Sequence, residues 1–182
     1  MEKVIENKLK IIKLAVDYYQ LLEILKYTEC GNQLEVCTKN KKIKWYANGH
    51  MRSRENHTEG GKLNGSSEVW QSNGYILTRK NYKLGILDGS YKWWHETGLI
   101  RRRENYNNGK LNGLHEWWYI NGQIEVRRNY TDDKLNGLSE EWYYNGQMSK
   151  RMNYVNDRLN GLYEEWYKNG QIKKNQITQK IN

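Results

Sequence analysis

The chain has 182 residues, no Phe and no Pro, a mean hydropathy of −1.06 and an apolar fraction of only 37%. Its 15 Tyr and 8 Trp are too many for a disordered segment, while the rest is too polar for a thick dry core, so a thin ordered structure is expected. The net charge of +9 lies beyond residue 40: residues 1–40 balance six Lys against six acids, and residues 41–182 carry 24 basic and 15 acidic residues, 24 − 15 = +9.

Residues 2–26 carry an apolar stripe, Ile5, Leu9, Ile12, Val16, Tyr19 and Leu22, at helical spacing, with Lys3, Glu6, Lys10, Lys13, Asp17 and Gln20 opposite. The pattern predicts an amphipathic helix ending near Cys30-Gly31, with Gly31 as its C-terminal cap. Such a helix would cover the end of an open sheet, mediate a homodimer or lie on a membrane surface, the last disfavoured by its balanced charges. Its charges exclude a membrane span, and no signal-peptide cleavage pattern accompanies it. Cys30 and Cys37 match no zinc or redox spacing, and two thiols make no disulfide framework, which favours a reducing compartment. Leu34 to Thr38 reads as a lead-in strand for the segment beyond residue 40.

From residue 41 a period governs the sequence. Trp45, Trp70, Trp94, Trp118, Trp142 and Trp166 are separated by 25, 24, 24, 24 and 24 residues. A glycine comes four residues after each tryptophan (Gly49, Gly74, Gly98, Gly122, Gly146, Gly170), and a second series runs Gly65, Gly89, Gly113, Gly137, Gly161. The extra residue of the first interval falls near Gly60-Gly61. Self-similarity at such a period marks a repeat architecture, here six units over 41–175, preceded by an N-terminal segment 1–40 and succeeded by a tail 176–182.

Each unit reads as two strands around an Asn-Gly turn, a sequence suited to positive φ. A two-residue loop would set Tyr143 opposite Met148; a three-residue loop with Gly146 left-handed would pair Trp142 with Met148. Strict alternation favours the second, because it gathers Leu138, Trp142, Met148, Met152 and Tyr154 on one face and leaves Ser139, Glu141, Arg151 and Asn153 on the other. The second glycine, in Leu-Asn-Gly or Leu-Asp-Gly, is expected to make the return turn. The fold class implied is mainly β: an elongated single-layer antiparallel β-hairpin repeat array with an N-terminal amphipathic α-helix. Stacked indoles of Trp45, Trp70, Trp94, Trp118, Trp142 and Trp166 would form its structural spine.

Two charged series run in phase with the tryptophans. Glu68, Glu116, Glu140 and Glu164 stand two residues before a Trp, with Lys92 interrupting, and suggest a cross-strand ion-pair ladder. Arg54, Arg79, Arg103, Arg127 and Arg151 stand five residues after the turn glycine and should form a row. That row could meet phosphates or acidic side chains of a ligand, or pair with local Glu and stack on Tyr or Trp. His50, His57, His95 and His115 share no ligand spacing and are expected at solvent or in turns. No P-loop, dinucleotide fingerprint, nucleophile elbow or zinc motif occurs, so neither cofactor nor metal nor enzymatic activity is expected.

The core Trp118-Tyr119-Ile120-Asn121-Gly122-Gln123-Ile124, its copies at Trp142–Met148 and Trp166–Ile172, and the linkers Lys110-Leu111-Asn112-Gly113 and Lys134-Leu135-Asn136-Gly137 resemble the MORN repeat family, in the variant with a W-Y-x-N-G-Q-[IL] core. The resemblance covers roughly residues 41–175 and is similar in style to MORN-repeat proteins of large DNA viruses and bacteria. Repetition without a unique reactive site leads to the expectation of a non-enzymatic scaffold for protein–protein interaction, its aromatic and arginine rows exposed on an extended β surface. The alternative is peripheral binding to anionic phospholipid, suggested by the charge and by the family's name. Nucleic acid is disfavoured, because the aromatics keep step with the core instead of forming a separate stacking platform. The expected location is cytoplasmic, the host cytoplasm for a viral protein, with membrane attachment only under the lipid reading.

Overall fold

The structure, a computed structural model, describes residues 26–30 and 33–178, with side chains described from 35 to 177. The chain divides between Ile86 and Leu87 into two units. In the first, β1 (Lys26–Cys30), β2 (Gln33–Cys37), β3 (Lys41–Trp45), β4 (Met51–His57), β5 (Leu63–Trp70) and β6 (Ile76–Lys83) form an antiparallel meander. In the second, β7 (Ile86–Trp94), β8 (Ile100–Asn107), β9 (Lys110–Leu111), β10 (Gly113–Trp118), β11 (Ile124–Thr131), β12 (Lys134–Trp142), β13 (Met148–Val155), β14 (Arg158–Trp166) and β15 (Ile172–Thr178) do the same, with β9 on β8 just ahead of β10. A mainly β hairpin array is therefore what the chain forms.

The N-terminal end departs from expectation. Lys26–Cys30, the last part of the expected helix, is strand β1, paired with β2 from Lys26 opposite Cys37 to Cys30 opposite Gln33. The apolar stripe ends at Leu22, and the Tyr27-Thr28 stretch after it favours an extended backbone. The remainder of the expected helix, residues 2–25, and its capping glycine lie outside the described residues. The lead-in strand expected at Leu34 to Thr38 is β2. β15 runs to Thr178, past the expected start of the tail at 176.

The six Asn-Gly or Thr-Gly turns share one construction. Tyr143 N–H donates to the Gln147 carbonyl at 2.8 Å, Gly146 N–H donates back to the Tyr143 carbonyl at 2.8 Å, and Gly146 has φ 82°. This is the three-residue loop, and Trp142 pairs with Met148 as expected from it. The face assignment drawn from it does not hold. Glu141 pairs with Lys150 while Trp142 pairs with Met148, so Ser149 is one residue too many and forms a bulge. Every residue after it changes side. Met152 and Tyr154 join Ser139 and Glu141, while Arg151 and Asn153 join Leu138, Glu140 and Trp142. The same shift occurs beside Trp45, Trp70, Trp94, Trp118 and Trp166.

The second glycine is a correction of the same kind. Gly137 lies inside β12, where Asn136, Gly137 and Leu138 stand opposite Asn129 alone. Its φ of 106° opens the ladder, and a Cβ there would meet the Asn129 Cβ at 3.4 Å. Asn129 Nδ2 donates to the freed Leu138 carbonyl at 3.3 Å and Asn105 does the same for Leu114, while Asn153 Nδ2 donates to the carbonyl of Asn160, on the other side of Gly161. The return turn comes earlier, between the paired Thr131 and Lys134. It is a two-residue loop with Asp132 at φ 49° and Asp133 at φ 67°. Asn and Asp tolerate this left-handed backbone better than other side-chain-bearing residues. At the first copy the loop grows to Glu59-Gly60-Gly61, closed by Thr58 and Lys62, which accounts for the 25-residue interval.

Neighbouring copies are also tied at the turns. Tyr46, Tyr119 and Tyr143 hydroxyls donate to the carbonyls of Trp70, Trp142 and Trp166 at 2.7 to 2.8 Å. Asn48, Asn121 and Asn145 side chains donate to the carbonyls of Ser72, Tyr144 and Lys168.

Candidate functional site

Directly opposed residues of antiparallel strands share a face, so the registers define two surfaces. The first, the indole face, carries both charged series. In the second unit the register line runs Lys92, Arg103, Glu116, Arg127, Glu140, Arg151, Glu164, Asn175, one residue from each successive strand. Arg103 Nε and Arg127 Nε donate to the two oxygens of Glu116 at 2.8 and 3.1 Å, and Arg151 Nε donates to Glu164 at 3.0 Å. In the first unit Arg54 Nε and Arg79 Nε reach the two oxygens of Glu68 at 2.8 and 2.7 Å. Glu68 and Glu116 are 3% and 2% exposed, so each buried carboxylate is held by two guanidiniums.

Four of these arginines also lie over the indole of the next copy. Arg54 is 5.7 Å from Trp70, Arg103 5.5 Å from Trp118, Arg127 5.6 Å from Trp142 and Arg151 5.8 Å from Trp166. These are cation–π distances. Within each unit, the structure thus brings the candidate arginines and the tryptophans together on one face. The guanidiniums are engaged by carboxylates of the chain itself, and their outer edges remain partly exposed.

The opposite face of the second unit holds a cluster that breaks the repeat. Glu104 is completely buried; Arg102 Nε donates to it at 2.6 Å, the Tyr106 hydroxyl at 2.9 Å, and His115 Nε2 stands 3.2 Å away. The Arg102 guanidinium lies between the rings of Tyr91 and Trp117, 5.3 Å from each. Arg101, the extra residue of the bulge beside Trp94, covers Trp93 at 4.6 Å. The Trp117 indole N–H donates to His115, whose ring packs against Tyr130 at 5.5 Å. Burial, joined by the hydrogen bond to the Glu104 carboxylate, pushes the Tyr106 hydroxyl up to about 12. Burial also lowers the His115 imidazole below its usual value, against the pull of Glu104 and with help from Arg102 and Arg128. His115, Arg128 and Ser139 are consecutive in one cross-strand line, and His115 Nδ1, Arg128 Nε and Ser139 Oγ are buried without hydrogen-bond partners.

Sequence reasoning placed His115 at solvent or in a turn; it is 8% exposed inside a strand. The signal that marks the cluster is departure from the period. Where this unit has Glu104, the neighbouring copies carry Lys80 and Arg128, and only two copies double the tryptophan, at Trp93-Trp94 and Trp117-Trp118.

The MORN repeat variant family matches this chain in four consecutive copies, at residues 87–108, 111–132, 135–156 and 159–178, a run spanning half of its length. The chain belongs to the MORN repeat family. The matched copies start at the strand bearing the bulge glycine, and the first three end at the left-handed return turn at Asn108, Asp132 and Asn156 while the fourth ends with β15, so each is one hairpin of the second unit. No curated protein matches this MORN repeat chain. Among solved structures it is similar to one titled "Crystal structure of accessory secretory protein 1,2 and 3 in Streptococcus pneumoniae", at 19% identity and a TM-score of 0.33. The match covers 57% of this chain and 20% of that one, so the chain spans about a fifth of that chain's length.

Proposed function

We propose that this MORN repeat chain is a non-enzymatic scaffold that binds a protein partner through the face opposite its repeated tryptophans, centred on Tyr91, Trp93, Arg101, Arg102 and Trp117. The observation that supports it is a division of labour within the repeat. The recurring Trp, Glu, Arg, Asn and Gly each serve a turn, a bulge or a copy-to-copy clasp. Among the side chains that do not recur, Tyr91, Trp93, Arg102 and Trp117 gather half-buried on the other face, and Trp, Tyr and Arg are the residue types that dominate binding hot spots. In this reading the arginine row Arg54, Arg79, Arg103, Arg127 and Arg151 chiefly sets the register of the copies, and the main recognition surface is the non-repeated face.

The test is affinity capture with the full chain, comparing wild type with Trp93→Ala/Arg101→Ala, and thermal melting to show that both fold. Loss of the captured proteins from the double variant is the expected result. Retention of all of them overturns the assignment. So does salt-sensitive pelleting with anionic vesicles by a chain that captures no protein.

A further inference from the structure

The charge row of the second unit has one position of the wrong sign. Two residues before each tryptophan stand Glu68, Glu116, Glu140 and Glu164, but Lys92 precedes Trp94. The register partner of Lys92 is Arg103. Like charges directly opposite on one face of an antiparallel pair repel. Arg103 turns to Glu116 on its other side, and among the described residues no carboxylate lies within ion-pair distance of the Lys92 ammonium. Elsewhere the row solves this problem with a shared acid: Glu68 serves Arg54 and Arg79, and Glu116 serves Arg103 and Arg127. The Lys92 end lacks one.

We infer that Lys92 and Arg103 form a docking point for a carboxylate side chain from an acidic segment of a protein partner, which would lie over the directly paired cations against the Lys92 ammonium and the exposed outer edge of the Arg103 guanidinium. The choice of carboxylate comes from the row itself, in which Arg103 and Arg127 take Glu116 and Arg151 takes Glu164 as their partners. Lys92 and the indole of Trp94 are half-buried, so a charge arriving there is less screened than at an open surface. The inference rests on the protein-binding reading above but uses the other face, so the two fail separately.

The experiment is fluorescence anisotropy of a labelled oligoglutamate peptide with the full chain at physiological salt. Lys92→Glu supplies the missing acid from within; Lys110→Glu, at an exposed strand end, makes the same change in net charge elsewhere. Lys92→Glu should weaken peptide binding about tenfold, the size of one lost charge-assisted contact, while raising the melting temperature. Lys110→Glu should leave binding nearly as in the wild type. If Lys92→Glu does not fold, Lys92→Gln, which only removes the cation, takes its place and should still weaken binding more than Lys110→Glu does. Equal affinities for Lys92→Glu and Lys110→Glu, or no binding by wild type, overturn the inference. So does tighter, Lys92-dependent binding of a single-stranded oligonucleotide. Peptide binding that survives while the Trp93→Ala/Arg101→Ala variant loses capture leaves the docking point standing. Loss of peptide binding with capture retained by wild type removes the docking point alone.

Discussion

Both units bury a carboxylate clasped by two arginines, Glu68 in the first and Glu116 in the second, but they differ in how much apolar side chain they bury beside it. Before Ile86 the buried apolar side chains are Val36, Ile43 and Trp45, and Ile43 stands opposite Arg54 where later copies set a charge. Beyond Leu87 the buried positions include Glu104, His115, Glu116 and Ser139, and Met152 is the one buried apolar side chain among the described residues there. A thin sheet can therefore be closed by area removed from water or by saturating a polar row. The second route is more exacting, since a buried charge that loses its partner costs more than the pair contributes. The regular copies that the family matches are those of the second route.

The sharpest way to break the comparison is to remove one acid. Glu116→Ala leaves Arg103 and Arg127 facing each other across an empty position and should cost about 3 kcal/mol in urea denaturation, near the lower bound for a broken buried pair because both arginines are partly exposed. Ile43→Ala in the first unit should cost about 2 kcal/mol, a cavity loss with no stranded charge. If Glu116→Ala costs less than Ile43→Ala, the two units do not differ in the way described.

Backbone changes come next. Gly137→Ala combines φ 106° with a 3.4 Å contact to Asn129 Cβ and should cost about 2 kcal/mol; Gly161→Ala, at φ 90° with open space, should cost about 1 kcal/mol. In the first unit Leu84 occupies the left-handed position that Asn108, Asp132 and Asn156 fill elsewhere, at φ 51° and largely exposed. Leu84→Asn should therefore raise stability, by up to about 1 kcal/mol.

The smallest effects are those of pH, and they differ between units. Because burial holds the His115 imidazole below its ordinary value, the unfolded chain takes up a proton first. Stability from this group is present above about pH 6.5 and falls as pH drops towards the folded value. His115→Gln should flatten that slope between about pH 7.5 and 5.5 in denaturant melts. In the first unit, burial acts to raise the Glu35 carboxyl, but hydrogen bonds from Lys42 and Lys44 outweigh it and bring it down from 4.5 to about 2. That contribution is present above pH 4.5 and disappears as pH falls towards 2, so Glu35→Gln should flatten only this acid limb.

The period, the three-residue turn and the Glu–Arg ladder were legible because they repeat: each states the same local chemistry several times over. The two faces were misread because strict alternation cannot see an inserted residue. Ser149 and its counterparts look like ordinary strand residues, and only the hydrogen-bond register shows that they are extra. The return turn was misplaced for a related reason. Gly137 advertises positive φ more loudly than Asp132-Asp133, although both sites adopt it. The Glu104–His115 cluster was missed because its members come from separate strands and occur once. A search for periodicity discards what does not recur.

The Asn-Gly tips have a chemical lifetime. A glycine after asparagine leaves the backbone nitrogen unhindered, the arrangement in which the side-chain amide is lost most readily, through a cyclic imide. At Asn48, Asn121 and Asn145 the nitrogen that would leave as ammonia is the one bonded to the next copy's carbonyl. Ageing at a tip would thus replace a donor with a carboxylate facing a carbonyl oxygen, unfastening one copy from its neighbour while every other bond of the ladder stays in place.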